Sequence, residues 1–166
     1  MTMTLIETIT VPSGGVLEME FLNIPQDSKD LLMLLSLRGT GSTFRVYEIT
    51  INDNSGSIYT FNRLLGTGSS ASSNGLANTS NFTYQSCNGS ASTADTFHNA
   101  SAYFSNYTSS ENKTMSLDEV VENNATDGRQ NLYSGIAADT NPITSIQVFD
   151  NVLLLEHSSV SLYSIS

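Results

Sequence analysis

The sequence predicts an all-β protein, an antiparallel β-sandwich of jelly-roll type with about ten short strands. Three observations predict it. Apolar residues make up 39% of the chain and charged residues only 13%, so its polarity comes mainly from neutral Ser, Thr and Asn. Such a composition disfavours long solvated helices and suits strands joined by polar turns. Turn signals recur at regular short spacing, and no amphipathic helical pattern runs longer than two turns.

The elements follow in order. "TLIETITV" (4–11) is rich in β-branched residues, "PSGG" supplies a turn, and in "VLEMEFLN" (16–23) Leu17, Met19 and Phe21 alternate with Glu18 and Glu20. Period two marks a strand with one buried face, and these two runs read as an opening hairpin. "LLMLLSLRGT" (31–40) begins as a continuous apolar run, which fits a strand buried on both faces, with a short helix not excluded by period alone. "FRVYEITIN" (44–52) and "IYTFNRLL" (58–65) flank "NDNSGS" and read as the best hairpin in the chain. "GTGSSASSNGLANTSN" (66–81) has almost nothing to bury and reads as a long surface loop.

"FTYQS" (82–86) is a strand and "CNGSASTAD" a loop. In "FHNASAYFSNYT" (97–108), Ala102 and Phe104 fall on one side and Tyr103 on the other. "KTMSLDEVVENN" (113–124) places Met115, Leu117 and Val121 on one face, with Ser116, Asp118 and Glu122 opposite. "QNLYSGIAAD", "ITSIQVFD" and "SVSLYSIS" are three further strands, with a turn at 141–142. With no repeat period and no linker, residues 1–166 read as a single domain.

Charge and cysteine content exclude several functions. Six basic residues against sixteen acidic ones give a net charge of -10, and the bases (Lys29, Arg38, Arg45, Arg63, Lys113, Arg129) are scattered. Nucleic-acid affinity depends on clustered Lys and Arg, and attraction to an anionic membrane needs the same, so neither partner is expected. Cys87 is the only cysteine, so no internal disulfide or cysteine-based zinc site exists, and it reads as a small core or strand-end residue. The longest apolar run, "LLMLLSL", is far shorter than the roughly 20 residues of a membrane span.

N-x-[ST] matches stand at Asn78, Asn81, Asn88, Asn99, Asn106, Asn112 and Asn124. In a chain this rich in Asn, Ser and Thr, roughly four arise by chance. The N-terminal stretch lacks the charged start and apolar run of a secretory leader, so these residues are expected to serve turns and exposed faces.

Candidate chemistry is sparse. There is no G-x-S-x-G elbow and no H-E-x-x-H, and the two histidines, His98 and His157, read as surface or strand-end residues. "NDNSG" (52–56) begins like a calcium loop but lacks the closing glutamate, and reads as a turn. Asp118, Glu119, Glu122 and Asp127 form an acidic stretch; on a strand Asp118 and Glu119 point to opposite faces, and a solvated acidic face is expected. "GTGSSASSNG" lacks the lysine and following helix of a phosphate cradle. No enzyme and no cofactor are therefore expected. Tyr103, Phe104 and Tyr107 are expected in the core or at a subunit interface, with stacking on sugar rings as the alternative.

Several phrases together carry a resemblance: "TLIETITVPSGG", "IPQDSKDLLMLLSLRGT", "NYTSSENKTMSLDEVVENNATDG", "ITSIQVFD" and the terminal "SVSLYSIS". The arrangement resembles a family of small β-sandwich virion proteins of tailed bacteriophages, especially phages of cyanobacteria and other aquatic bacteria, over nearly the whole chain. The resemblance implies a capsid decoration (cement) protein, commonly a homotrimer, bound to the outer surface of the major capsid protein shell. A tail or fibre module binding host-surface glycan through loops 66–81 and 88–96 is the neighbouring implication. "FDNVLLLEHSS" is more apolar than the resemblance leads one to expect, so Val152, Leu153, Leu154 and Leu155 are expected to be buried between subunits.

Overall fold

The computed structural model describes residues 2–41, 43–123 and 128–166; the acceptor match at Asn124 and the acidic Asp127 lie outside them. The described residues form thirteen strands and no helix. They are β1 (Met3–Thr10), β2 (Val16–Phe21), β3 (Asp30–Ser36), β4 (Arg38–Gly39), β5 (Phe44–Ile51), β6 (Tyr59–Gly66) and β7 (Ala71–Thr79), followed by β8 (Phe82–Gly89), β9 (Asn99–Ser105), β10 (Lys113–Glu122), β11 (Gly128–Ala137), β12 (Ile146–Leu154) and β13 (Ser159–Ile165).

They build a two-layer β-sandwich of jelly-roll type. The large sheet has the order β1-β13-β3-β9-β10-β11-β6-β7 and the small sheet β2-β12-β4-β8-β5, with β12 also pairing β5. Among the described strand pairs only the short β4–β8 contact is parallel. The alternation read from the sequence sets the inner faces. On β10, Met115, Leu117 and Val121 are buried while Ser116, Asp118 and Glu122 are exposed, and on β9 Ala102 and Phe104 point inward. Between the layers, Tyr59 meets Phe82 edge to face at 4.8 Å and Phe61 stacks on Tyr133 at 4.8 Å. Cys87 sits fully buried in this core.

Both expected hairpins are instead crossings between layers. β1 pairs β13 in the large sheet while β2 pairs β12 in the small one. Likewise β5 pairs β8 and β12, whereas β6 pairs β11 and β7. Two neighbouring runs with one apolar face each can bury those faces side by side or across a core, and period two is the same in both cases. The connections hold backbone that favours the crossing: Gly14 and Gly15 have φ of 96° and 77°, and Asn52 and Asp53 have φ of 56° and 49°. A Cβ on Gly15 would stand 2.6 Å from the Leu154 carbonyl oxygen, so the first crossing needs glycine there.

Two further expectations are corrected. Residues 31–40 do not form one doubly buried strand: the chain leaves the large sheet after Ser36 and joins the small sheet at Arg38. Leu31, Met33 and Leu35 are buried, but Leu34 faces outward. Most of 66–81 is not a loop but the edge strand β7, exposed from Ala71 to Asn78. Its order comes from backbone pairing with β6, a force that leaves no hydrophobic period to read.

Candidate functional site

The outer face of the large sheet is assembled from the positions that alternate with the core. Strand register places Leu34, Ser101, Asp118, Leu132, Leu64 and Ser73 side by side across β3, β9, β10, β11, β6 and β7. The adjacent row is Leu32, Tyr103, Ser116, Ser134, Asn62 and Gly75. In these two rows Asp118 is the one charged side chain. Around them the face exposes large apolar groups: Leu64 at 59%, Leu132 at 49%, Ile136 at 48% and Val120 at 46%. A scattered exposed leucine means nothing, but neighbours in register on one rigid sheet form a patch.

Relief on this face comes from side-chain size. Three adjoining depressions of about 570, 310 and 390 Å³ lie over its β9-to-β7 half. The first two share Asn62 and Ser134, and the first and third share Leu64, Ser73 and Leu132. The second has Ser116 and Ser134 against Tyr103 and Ile136. Tyr103 is held in place because its hydroxyl donates to Asp30 Oδ2 at 2.6 Å, a bond that raises the phenol pKa. Asp30 Oδ1 in turn accepts the Asn106 backbone N–H at 2.8 Å.

Apart from exposed Lys29, the basic groups are engaged within the chain, which leaves the surface dominated by acid. Arg38 donates to the carbonyls of Thr93, Thr96 and Ser92 at 2.7, 2.8 and 3.0 Å, pinning the segment that follows β8. Arg45 pairs with buried Asp150 at 3.0 Å. Arg63 and Arg129 lie over the rings of Tyr84 and Phe44, and Lys113 donates to the Ser109 and Glu111 carbonyls. Loops 66–81 and 88–96 are thus not the adaptable pair that the glycan alternative assumes: the first is largely β7, and the second is tied to Arg38.

The expected interface tetrad divides. Leu154 is fully buried in the core, so its place between subunits is corrected; Leu153 is 38% exposed, and Val152 and Leu155 are half-buried. Strand β12 continues through Leu154, and alternation turns it inward against Val16 of β2.

The polar candidates also find their places. "NDNSG" forms the crossing turn, in which Asn54 Oδ1 accepts the Gly56 N–H at 2.9 Å and Asn52 Oδ1 accepts the Thr144 N–H at 2.8 Å. Among the described residues no three His, Cys, Asp or Glu side chains converge to hold a metal. His157 faces solvent 4.0 Å from Glu156. His98, expected at the surface or a strand end, is instead sealed in the core, where Nδ1 accepts the Leu37 N–H at 2.7 Å and burial lowers its pKa to about 3. Burial likewise pushes the Cys87 thiol far up, which keeps it from acting as a thiolate.

Glu119 occupies an environment opposite to the expected one. It leaves the expected solvated acidic face and lies fully buried between the layers. Its carboxyl accepts from the Tyr47 hydroxyl at 3.0 Å, from the Ser86 N–H at 2.7 Å and from Asn131 Nδ2. Burial raises its pKa to about 7 in spite of these donors. A signal for it existed: position 119 falls on the same alternation as Met115, Leu117 and Val121.

No protein-family model matches the chain, and no curated protein matches it either. Among solved structures, galectin LEC-6 of Caenorhabditis elegans is similar at 12% identity, covering 93% of this chain and 94% of that one, with a TM-score of 0.38.

Proposed function

We propose that this protein is a structural, non-enzymatic component of a tailed-phage virion, a capsid decoration protein that binds the outer surface of the major capsid protein through the outer face of its large sheet. One observation carries the reading: Leu64, Leu132, Val120 and Ile136 are exposed together on a rigid, weakly charged sheet face. Apolar area removed from water contributes about 25 cal/mol per Å², so such a face adds stability by broad contact and not by one reactive group. The whole-chain resemblance supports the same reading. So does the acidic balance, which suits a surface held outside a nucleic-acid container.

The test is direct. Heads stripped of this protein should lose resistance to heat and osmotic shock and regain it when purified protein is added back. Stripped heads as robust as complete ones overturn the reading.

A tail or fibre module that binds host glycan is the second reading. It is favoured by the depression in which Tyr103 stands beside Ser116, Ser134 and Asn62, an aromatic ring among neutral hydroxyl and amide groups. Copy number separates the two: on the order of hundreds per particle for decoration, a few dozen at most for a tail or fibre.

A further inference from the structure

A sheet edge exposes a row of backbone N–H and C=O groups, and folded proteins blunt such rows with charge, proline or bulges. The edges of this sandwich are treated unequally. β1 closes one side of the large sheet with a register break between Leu5 and Glu7 and with the Glu7 carboxylate. β2, an edge of the small sheet, carries Glu18 and Glu20, while β5 pairs on both sides, with β8 and β12.

β7 has neither charge nor proline in its sequence ASSNGLANT, its register break falls between Leu76 and Thr79 at its C-terminal end, and among the described residues β6 is its one strand partner. From Ala71 to Leu76 the pairing with β6 runs in unbroken register, which leaves a straight edge on the other side. Charge selects the occupant of that edge. Two copies of a chain with net charge -10 repel, and residues 66–81 contain no charged side chain, so copies approach there against the least repulsion.

We propose that β7 pairs antiparallel with β7 of a second copy over its straight Ala71–Leu76 stretch, about a two-fold axis near Asn74, and so joins two large sheets edge to edge. Identical strands in antiparallel contact make a self-complementary interface that closes at two subunits. This differs from the threefold arrangement implied by the resemblance and does not depend on the proposed function. The outer-face rows, which end at Ser73 and Gly75, then run on from one copy into the next.

Sedimentation of the full chain tests the pairing. The wild type should be a dimer. Ser72 and Leu76 bracket Asn74 and are exposed, so Ser72→Glu/Leu76→Glu places like charges across the axis and should weaken the dimer about tenfold or more. Ser72→Lys/Leu76→Lys should do the same, and an equimolar mixture of the two variants should recover a dimer. A wild-type monomer or trimer, or a dimer that neither variant weakens, overturns the proposal. Amide exchange on the wild type gives a second measurement if the variants fail to fold: β7 amides should exchange more slowly as protein concentration rises. Exchange independent of concentration also overturns it.

Discussion

The Tyr47 hydroxyl on β5 of the small sheet donates a 3.0 Å hydrogen bond to Glu119 Oε2 on β10 of the large sheet, so a carboxyl group joins the two layers from inside. Leucine or methionine at 119 would continue the apolar face of β10. A glutamate instead obliges three neighbours, Tyr47, Ser86 and Asn131, to aim donors at one point. Placing three donors on one carboxyl group in a dry interior fixes how the layers face each other more narrowly than apolar packing does.

That pair makes stability depend on pH. Glu119 moves from 4.5 unfolded to about 7 folded, so its contribution is fully present below pH 4.5 and is lost as pH rises through 7. The difference corresponds to about 3 kcal/mol. His98 has the opposite sense: its pKa falls from 6.5 to about 3 on folding, so its contribution is present above pH 6.5 and is lost as pH falls toward 3. Between pH 4.5 and 6.5 the two oppose each other. Urea midpoints across that window should rise with pH for Glu119→Gln relative to wild type, and fall with pH for His98→Asn. Parallel profiles for all three proteins would contradict the assignment.

Gly135 on β11 leaves room for the Phe82 ring. A Cβ at 135 would lie 2.5 Å from Phe82 Cε1, and that ring is fixed edge to face on Tyr59. Gly135→Ala should therefore cost about 1–3 kcal/mol in chemical denaturation. At Gly66 the nearest heavy atom is 4.0 Å away, so Gly66→Ala should leave stability unchanged or raise it by up to about 1 kcal/mol.

The two adjoining leucines of β12 should respond in different ways. Leu154→Ala removes a fully buried side chain and should cost about 2–5 kcal/mol in the isolated protein. Leu153→Ser acts on a side chain 38% exposed and should change stability by less than about 0.5 kcal/mol. Equal losses for both would return the tetrad to a shared role.

Leu64 and Leu132 are direct register neighbours on the outer face. Replacing both with serine should leave the melting temperature nearly unchanged while weakening co-sedimentation with purified heads about tenfold or more. Undiminished binding by a folded double variant would remove this face as the contact.

Much of the fold is legible in single strands. Period two on β10 and β9 names the side chains that share a face, and the turn-rich, charge-poor composition rules out a helical protein. These are local properties, because successive residues of a strand point to opposite sides whatever lies beside it. Even the buried position of Glu119 follows from that alternation, although its chemical character argues for solvent.

The sequence by itself therefore determined the class, most of the strands and, where apolar and polar residues alternate, their inner and outer faces. Tertiary structure decided which runs pair, that 71–79 is a strand at all, and what meets Glu119, since Ser86 and Tyr47 lie 33 and 72 residues from it. It also decided the outer-face rows, to which the six strands β3, β9, β10, β11, β6 and β7 each contribute one residue per row. The physical reason is that side-chain direction is set within a strand, whereas the partner across a hydrogen-bonded ladder or an apolar core is chosen by burial over the whole chain, which no local pattern records.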